Sequence, residues 1–191
     1  MGVKVTSDRI DAIISAVAAL TKQQVVVGIP AESNERDPED GASIGNADLL
    51  AIHEFGSPAA NIPARPTLIP GVKAYQPRAI KRLKKAAESA IDAASFGGST
   101  QDTDVNKVKQ IAAVSKSSNE RAPVQSVTDQ LNAIGLEAVA SVKNQFTEGN
   151  LAPLKPATIA ARKRDGFEGE RPLVRTGDLM RHINYAIVKT K

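Results

Sequence analysis

Two histidines, no cysteine and carboxylates spread along the chain are the groups from which any acid–base or metal chemistry would have to be built. The pair His53-Glu54 is the first to consider. Neighbouring helical residues point about 100° apart, so the pair makes no metal site by itself. A histidine that packs or hydrogen-bonds at a subunit surface is the plainer reading. Asp37, Glu39 and Asp40 could approach a divalent cation, but they lack the ligand register of a calcium loop and read as a solvated acidic loop. No Gly-rich phosphate loop follows a strand, and no Ser sits in a nucleophile elbow. Without cysteine, disulfides and thiolate metal sites are excluded. The expectation is a protein that is not an enzyme and carries no metal and no cofactor.

Charge offers a second kind of chemistry. The net charge is +4, mildly basic, which supports nucleic-acid contact only where it is concentrated on one face. Arg78, Lys81, Arg82 and Lys85 fall on one side of a long helical pattern, and Arg162, Lys163, Arg164 and Arg171 form a second cluster. No aromatic residue interleaves with the helix set, so base stacking is not expected there. A solvated face, or contact with an acidic partner or a DNA channel, remains for both.

These residues must be positioned by a fold with few aromatics, 3% of the chain, and a core of Ile, Leu, Val and Ala. Ser7 or Asp8 caps a first helix along Ile10, Ile13, Ile14, Val17 and Leu20. Gln24 to Ile29, β-branched and stopped by Pro30, reads as a strand buried on both faces. Asn46 is an N-cap and Gly56 a terminator for a short helix ending at Phe55. A long helix runs from about Val72 to Ala94 with an apolar line Ile80, Leu83, Ala87, Ile91 and Ala94. Residues 95–122 are linker-like, with a weak helix at Val105–Val114.

After Pro123 another helix carries Val124, Val127, Leu131, Ile134, Ala138 and Val142, with Gly135 marking a close helix crossing. A short helix Ala157–Arg164, a helix capped by Thr176 and a strand Ile183–Lys189 complete the chain. The pattern predicts an α+β fold: a small, mostly antiparallel sheet packed against two long helices, with extended Pro-rich and loop segments. The expected organisation is a single domain over 1–191 with a polar insertion at about 95–122. No stretch is apolar enough to span a membrane, and Met1 to Thr6 lacks the features of a signal peptide, so synthesis in the cytoplasm is expected.

Ser57 to Pro66 holds Pro58, Pro63 and Pro66, which forbid helix and make the segment stiff and extended. A segment held extended in advance loses less entropy on docking. Arg65, framed by prolines, would be presented at a fixed angle and reach a carboxylate in a forked way.

Two blocks of sequence stand out. The first is Leu50 to Gly56 (LAIHEFG) followed by Asn61 to Leu68 (NIPARPTL). The second is Pro153 to Ile159 (PLKPATI) with Arg162-Lys163, then Pro172 to Leu179 (PLVRTGDL) and Ile183-Asn184-Tyr185. In this order they resemble the virion-morphogenesis proteins of tailed phages, variously called minor tail, tail-completion or neck proteins. Thr67 stands where the family has an aromatic residue, Arg175 where an acid is common and His182 where Ser is common.

The resemblance implies a structural virion protein, made in the host cytoplasm, that forms a homo-oligomeric ring of six or twelve copies at the head–tail junction and joins the DNA-filled head to the tail. Implied partners are neighbouring neck, tail-terminator or tail-tube proteins, with non-specific DNA contact in the channel and no membrane. The alternatives are a portal-side head-completion adaptor and a DNA-binding accessory module using the basic helix face. A ring requires two different patches of one subunit to meet its neighbours. His53, Glu54, Phe55, Pro63, Arg65, Pro66, Arg162, Lys163, Arg175, Thr176 and Leu179 are expected in those patches.

Overall fold

A computed structural model describes residues 14–15, 17–18, 21–36, 44–96 and 121–190. The acidic run Asp37–Asp40, the weak helix at 105–114 and most of the first helix lie outside the described residues. The elements are β1 (Gln23–Gly28), a 3-10 turn (Ala31–Ser33), α1 (Asn46–Phe55), α2 (Leu68–Phe96), α3 (Arg121–Glu148), α4 (Pro156–Arg164), α5 (Asp178–His182) and β2 (Asn184–Lys189). β1 and β2 pair in an antiparallel two-stranded sheet, so the α+β expectation holds. The chain groups into two compact units. One takes in Val25–Pro77 and Gly135–Ala186, the other Arg78–Ile134 with the two chain ends.

The first unit holds one buried cluster and every residue of the site described below. Leu50 of α1, Val139, Val142 and Phe146 of α3, Leu179 of α5 and Ile183 pack together, with Val27 and Tyr185 of the two strands and Leu68 of α2 against them. α3 earns its place through spacing: Val127, Leu131, Ile134, Ala138, Val142 and Phe146 recur at three or four residues and are all buried. α2 crosses α3 at Gly71, where a Cβ would sit 2.5 Å from the Cα of Val142. The Ser141 hydroxyl donates to the Gly71 carbonyl at 2.8 Å across the same crossing.

Several expectations need correction. The crossing glycine is Gly71; Gly135 instead admits the ring of Tyr185 from β2. β1 is covered on one face only, with Gln24 and Val26 exposed, because a two-stranded sheet has no second layer among the described residues. α2 begins at Leu68 rather than Val72, and Pro77 lies inside it, removing one backbone bond without ending the helix. In the second unit, Ile80 is 59% exposed while Ala86 is buried, so the covered stripe of α2 is rotated from the expected line. Arg78, Lys81 and Lys85 are exposed, as a solvated face requires.

Candidate functional site

The site is built outward from α1. Asn46 is not its N-cap. It is the first helical residue, buried, and its amide donates to the carbonyls of Ser33 and Glu35 at 3.2 and 3.1 Å. The side-chain oxygen of Asn34 accepts from Ala47 N–H at 2.8 Å and caps the helix from a distance in sequence. Gly56 ends α1 at φ 78, as expected. A Cβ there would meet Ala64 N at 2.9 Å, so glycine is needed twice over.

The Pro-rich segment is not extended throughout. Ser57 and Ile62 exchange backbone bonds of 2.9 Å each, closing a tight loop in which Asn61 takes φ 53. Asn tolerates that conformation better than most residues. From Pro63 to Thr67 the chain is in no helix or strand, and Arg65 N–H donates to the His53 carbonyl at 2.6 Å.

Glu54 explains why the two halves of the first block belong together. It is 6% exposed. One carboxylate oxygen accepts from the N–H groups of Thr67 and Leu68 at 2.7 and 2.9 Å, and the other from Ile69 N–H at 2.9 Å. These are orphan donors at the start of α2, and the buried acid meets the positive end of the helix dipole. Glu54 is therefore the N-terminal cap of the long helix, supplied from the preceding one. Thr67 is fully buried beside it, and its hydroxyl oxygen has no partner among the described residues.

Arg65 also turns inward. It is 7% exposed, and its fork donates to the carbonyls of Ala152 at 2.7 Å and Pro153 at 2.9 Å. The expected outward grip on a carboxylate is replaced by a tie between the two sequence blocks. Arg171 does comparable work at the other long helix, donating to the carbonyls of Phe146 at 2.6 Å and Gly149 at 3.2 Å, where a cation suits the negative helix end. Arg162 donates to the Gly169 and Arg171 carbonyls at 3.1 and 2.8 Å, holding the Gly-rich loop against α4. Thr176 accepts from Asp178 N–H at 3.4 Å, but the N-cap of α5 is Gly177 at φ 80.

These ties border an open cleft of about 870 Å³. Arg36, Arg65, Lys155, Arg162 and Arg175 line it, against the two acids Glu35 and Asp178. Burial and the nearby Arg175 and Arg65 lower the Arg162 pKa, a sign that three guanidinium groups share one neighbourhood. His53 lines the cleft with its Nδ1 buried and unpartnered. Burial, then the Arg65 charge, holds its pKa below 6.5 and keeps the ring neutral. Arg175 stacks over the Phe167 ring at 4.5 Å and pairs with Asp165 at 3.4 Å.

Of the expected patch residues, the structure brings His53, Pro63, Arg65, Arg162, Arg175, Thr176 and Leu179 to the walls of this one cleft. Glu54, Phe55, Pro66 and Lys163 are not among them. Glu54 is used internally, Phe55 is 72% exposed, and Lys163 pairs with Glu170 at 3.2 Å. Lys155, Phe167 and Leu173 also line the cleft and were not singled out from sequence. Lys155 stands inside the second block, so proximity to the motif was the available signal. Among the described residues no group of His, Asp and Glu is arranged to hold a metal ion, and no helix is long and apolar enough to cross a membrane. Comparison with protein-family models, curated proteins and solved structures gave no match.

Proposed function

We propose that this chain is a structural subunit of a tailed-phage particle that forms a ring at the head–tail junction, joining the DNA-filled head to the tail, and that it acts by assembly rather than catalysis. The observation that carries the reading is the meeting of the two family-like blocks. They lie some ninety residues apart, about half the chain, yet Arg65 of one binds the Ala152 and Pro153 carbonyls of the other. Seven of the residues expected in assembly patches then face a single cleft. A rigid, pre-shaped surface of this kind suits docking, because little order is lost when a partner arrives.

The partners in this reading are further copies of the chain, in a ring of six or twelve, and neighbouring neck, tail-terminator or tail-tube proteins. The test is electron microscopy of particles made with this gene disabled. Filled heads and finished tails lying unjoined are the expected result. Normal particles would remove the junction assignment and shift weight to a DNA-binding accessory role.

A further inference from the structure

We infer that the arginine-rich cleft is a docking site for an acidic peptide segment of a neighbouring protein, one that carries carboxylates beside aliphatic side chains. The inference rests on the assembly reading of this cleft and names the chemistry of what docks there.

Charge is the first support. Five cationic side chains line the cleft against two acids. One of the two, Asp178, already pairs with Arg181 at 3.1 Å. Among the described residues, neither Arg65 nor Arg162 has a carboxylate within ion-pair distance; their side chains bond to backbone carbonyls, which leave the positive charge in place. Arg65 is more than nine-tenths buried at the wall of the cleft. The charges of Arg65 and Arg162 add to the positive field of the cleft, while the exposed rim cations Lys155 and Arg175 are the groups that an incoming carboxylate can meet.

Shape and apolar lining decide between kinds of anion. A volume of about 870 Å³ marks an open hollow that can receive a segment of chain rather than a flat contact. Leu49, Ile62, Leu154, Leu173 and Leu179 line the cleft together with the cations. Phosphates of a duplex need cations spread along a backbone track, whereas these converge into a hollow. Phe167, the one Phe, Tyr or Trp ring of the lining, has Arg175 over its face, so that face is not open for a base to stack. An acidic segment with aliphatic neighbours satisfies both the charge and the apolar walls.

The test is fluorescence anisotropy on the full chain with a fluorescein-labelled peptide containing Glu and Leu. The controls are its Lys-for-Glu counterpart and a duplex oligonucleotide. The double variant Lys155→Glu, Arg175→Glu reverses the charge at two exposed positions and leaves Arg65 and Glu54 in place. Its fold is verified by an unchanged melting curve. Arg175→Lys keeps the charge.

Saturable binding of the Glu peptide is expected. The double variant should weaken it at least about tenfold and Arg175→Lys about threefold or less. The inference is overturned by any of four results: no saturable binding up to about 1 mM, equal binding of the Lys peptide, binding untouched by the double variant, or tighter binding of the duplex through the same residues. If peptide binding fails while particles lacking the gene still show unjoined heads and tails, only this inference falls. If binding holds while such particles are normal, only the junction assignment falls.

Discussion

Arg65 and Arg175 carry the same guanidinium to the same cleft, yet they occupy opposite kinds of region. Arg65 belongs to the floor, buried and bound to two carbonyls of the distant second block. Arg175 belongs to the rim, with about half its side chain exposed, resting on Phe167 and loosely paired with Asp165. Glu54 is the floor's other charged member, and Lys155 and the outer part of α4 belong with the rim. A motif that looks like one functional unit in sequence is thus split in space. Its floor residues build the fold and its rim residues are what a partner meets.

This contrast gives an ordered set of expectations. The largest effect should come from the floor. Glu54→Ala strips the acceptor from three N–H groups at the start of α2. Leaving buried donors unpaired, and removing a charge from its helix terminus, should cost about 3–5 kcal/mol in a urea unfolding series. A loss below about 1 kcal/mol would show that water replaces the carboxylate and that the floor is less buried than described.

Gly71→Ala comes next. Its new Cβ would meet backbone at Val142, not a flexible side-chain tip. The α2–α3 crossing must open, at about 1–3 kcal/mol by the same measurement. Thr67→Val runs the other way. The residue is fully buried and its hydroxyl is unpartnered, so a similarly shaped apolar replacement should raise stability by about 1 kcal/mol.

His53 lies between the two regions and supplies a pH signature. Its folded pKa lies below 6.5 because burial and Arg65 oppose the charged ring. The unfolded chain then binds more protons than the folded one as pH falls below 6.5, so stability decreases there and is unaffected by this group above it. His53→Gln should flatten that part of the stability–pH curve. An unchanged slope would assign the dependence to other groups.

The smallest effect on folding belongs to the rim. The Lys155→Glu, Arg175→Glu double variant should stay within about 0.5 kcal/mol of the parent, since exposed ion pairs contribute little. A large loss would erase the distinction between floor and rim.

Much of the framework was legible in the sequence because it obeys local rules. The α3 stripe follows helical spacing, Gly56 ends α1 where a positive φ is required, and the prolines mark the stiff stretch from Pro63. What escaped was interaction at long range. Nothing local announces that Glu54 caps a helix starting at Leu68, that Asn34 rather than Asn46 caps α1, or that Arg65 turns inward to Ala152. Side-chain size misled at Gly135, where the close neighbour is an aromatic ring from a strand. β-branched composition misled at β1, where a run of valines reads as doubly buried although Gln24 and Val26 are exposed on one face. The cleft itself was visible only as separate motif residues, because their convergence depends on contacts between the blocks.

The most direct measurement is a cryo-electron microscopy reconstruction of the head–tail junction in complete particles. The account expects this chain there as a closed ring, with Lys155 and Arg175 buried against an acidic segment of a neighbour and Glu54 still seated on the start of α2. Its absence from the junction, or a rim that faces solvent in the assembled particle, would contradict it.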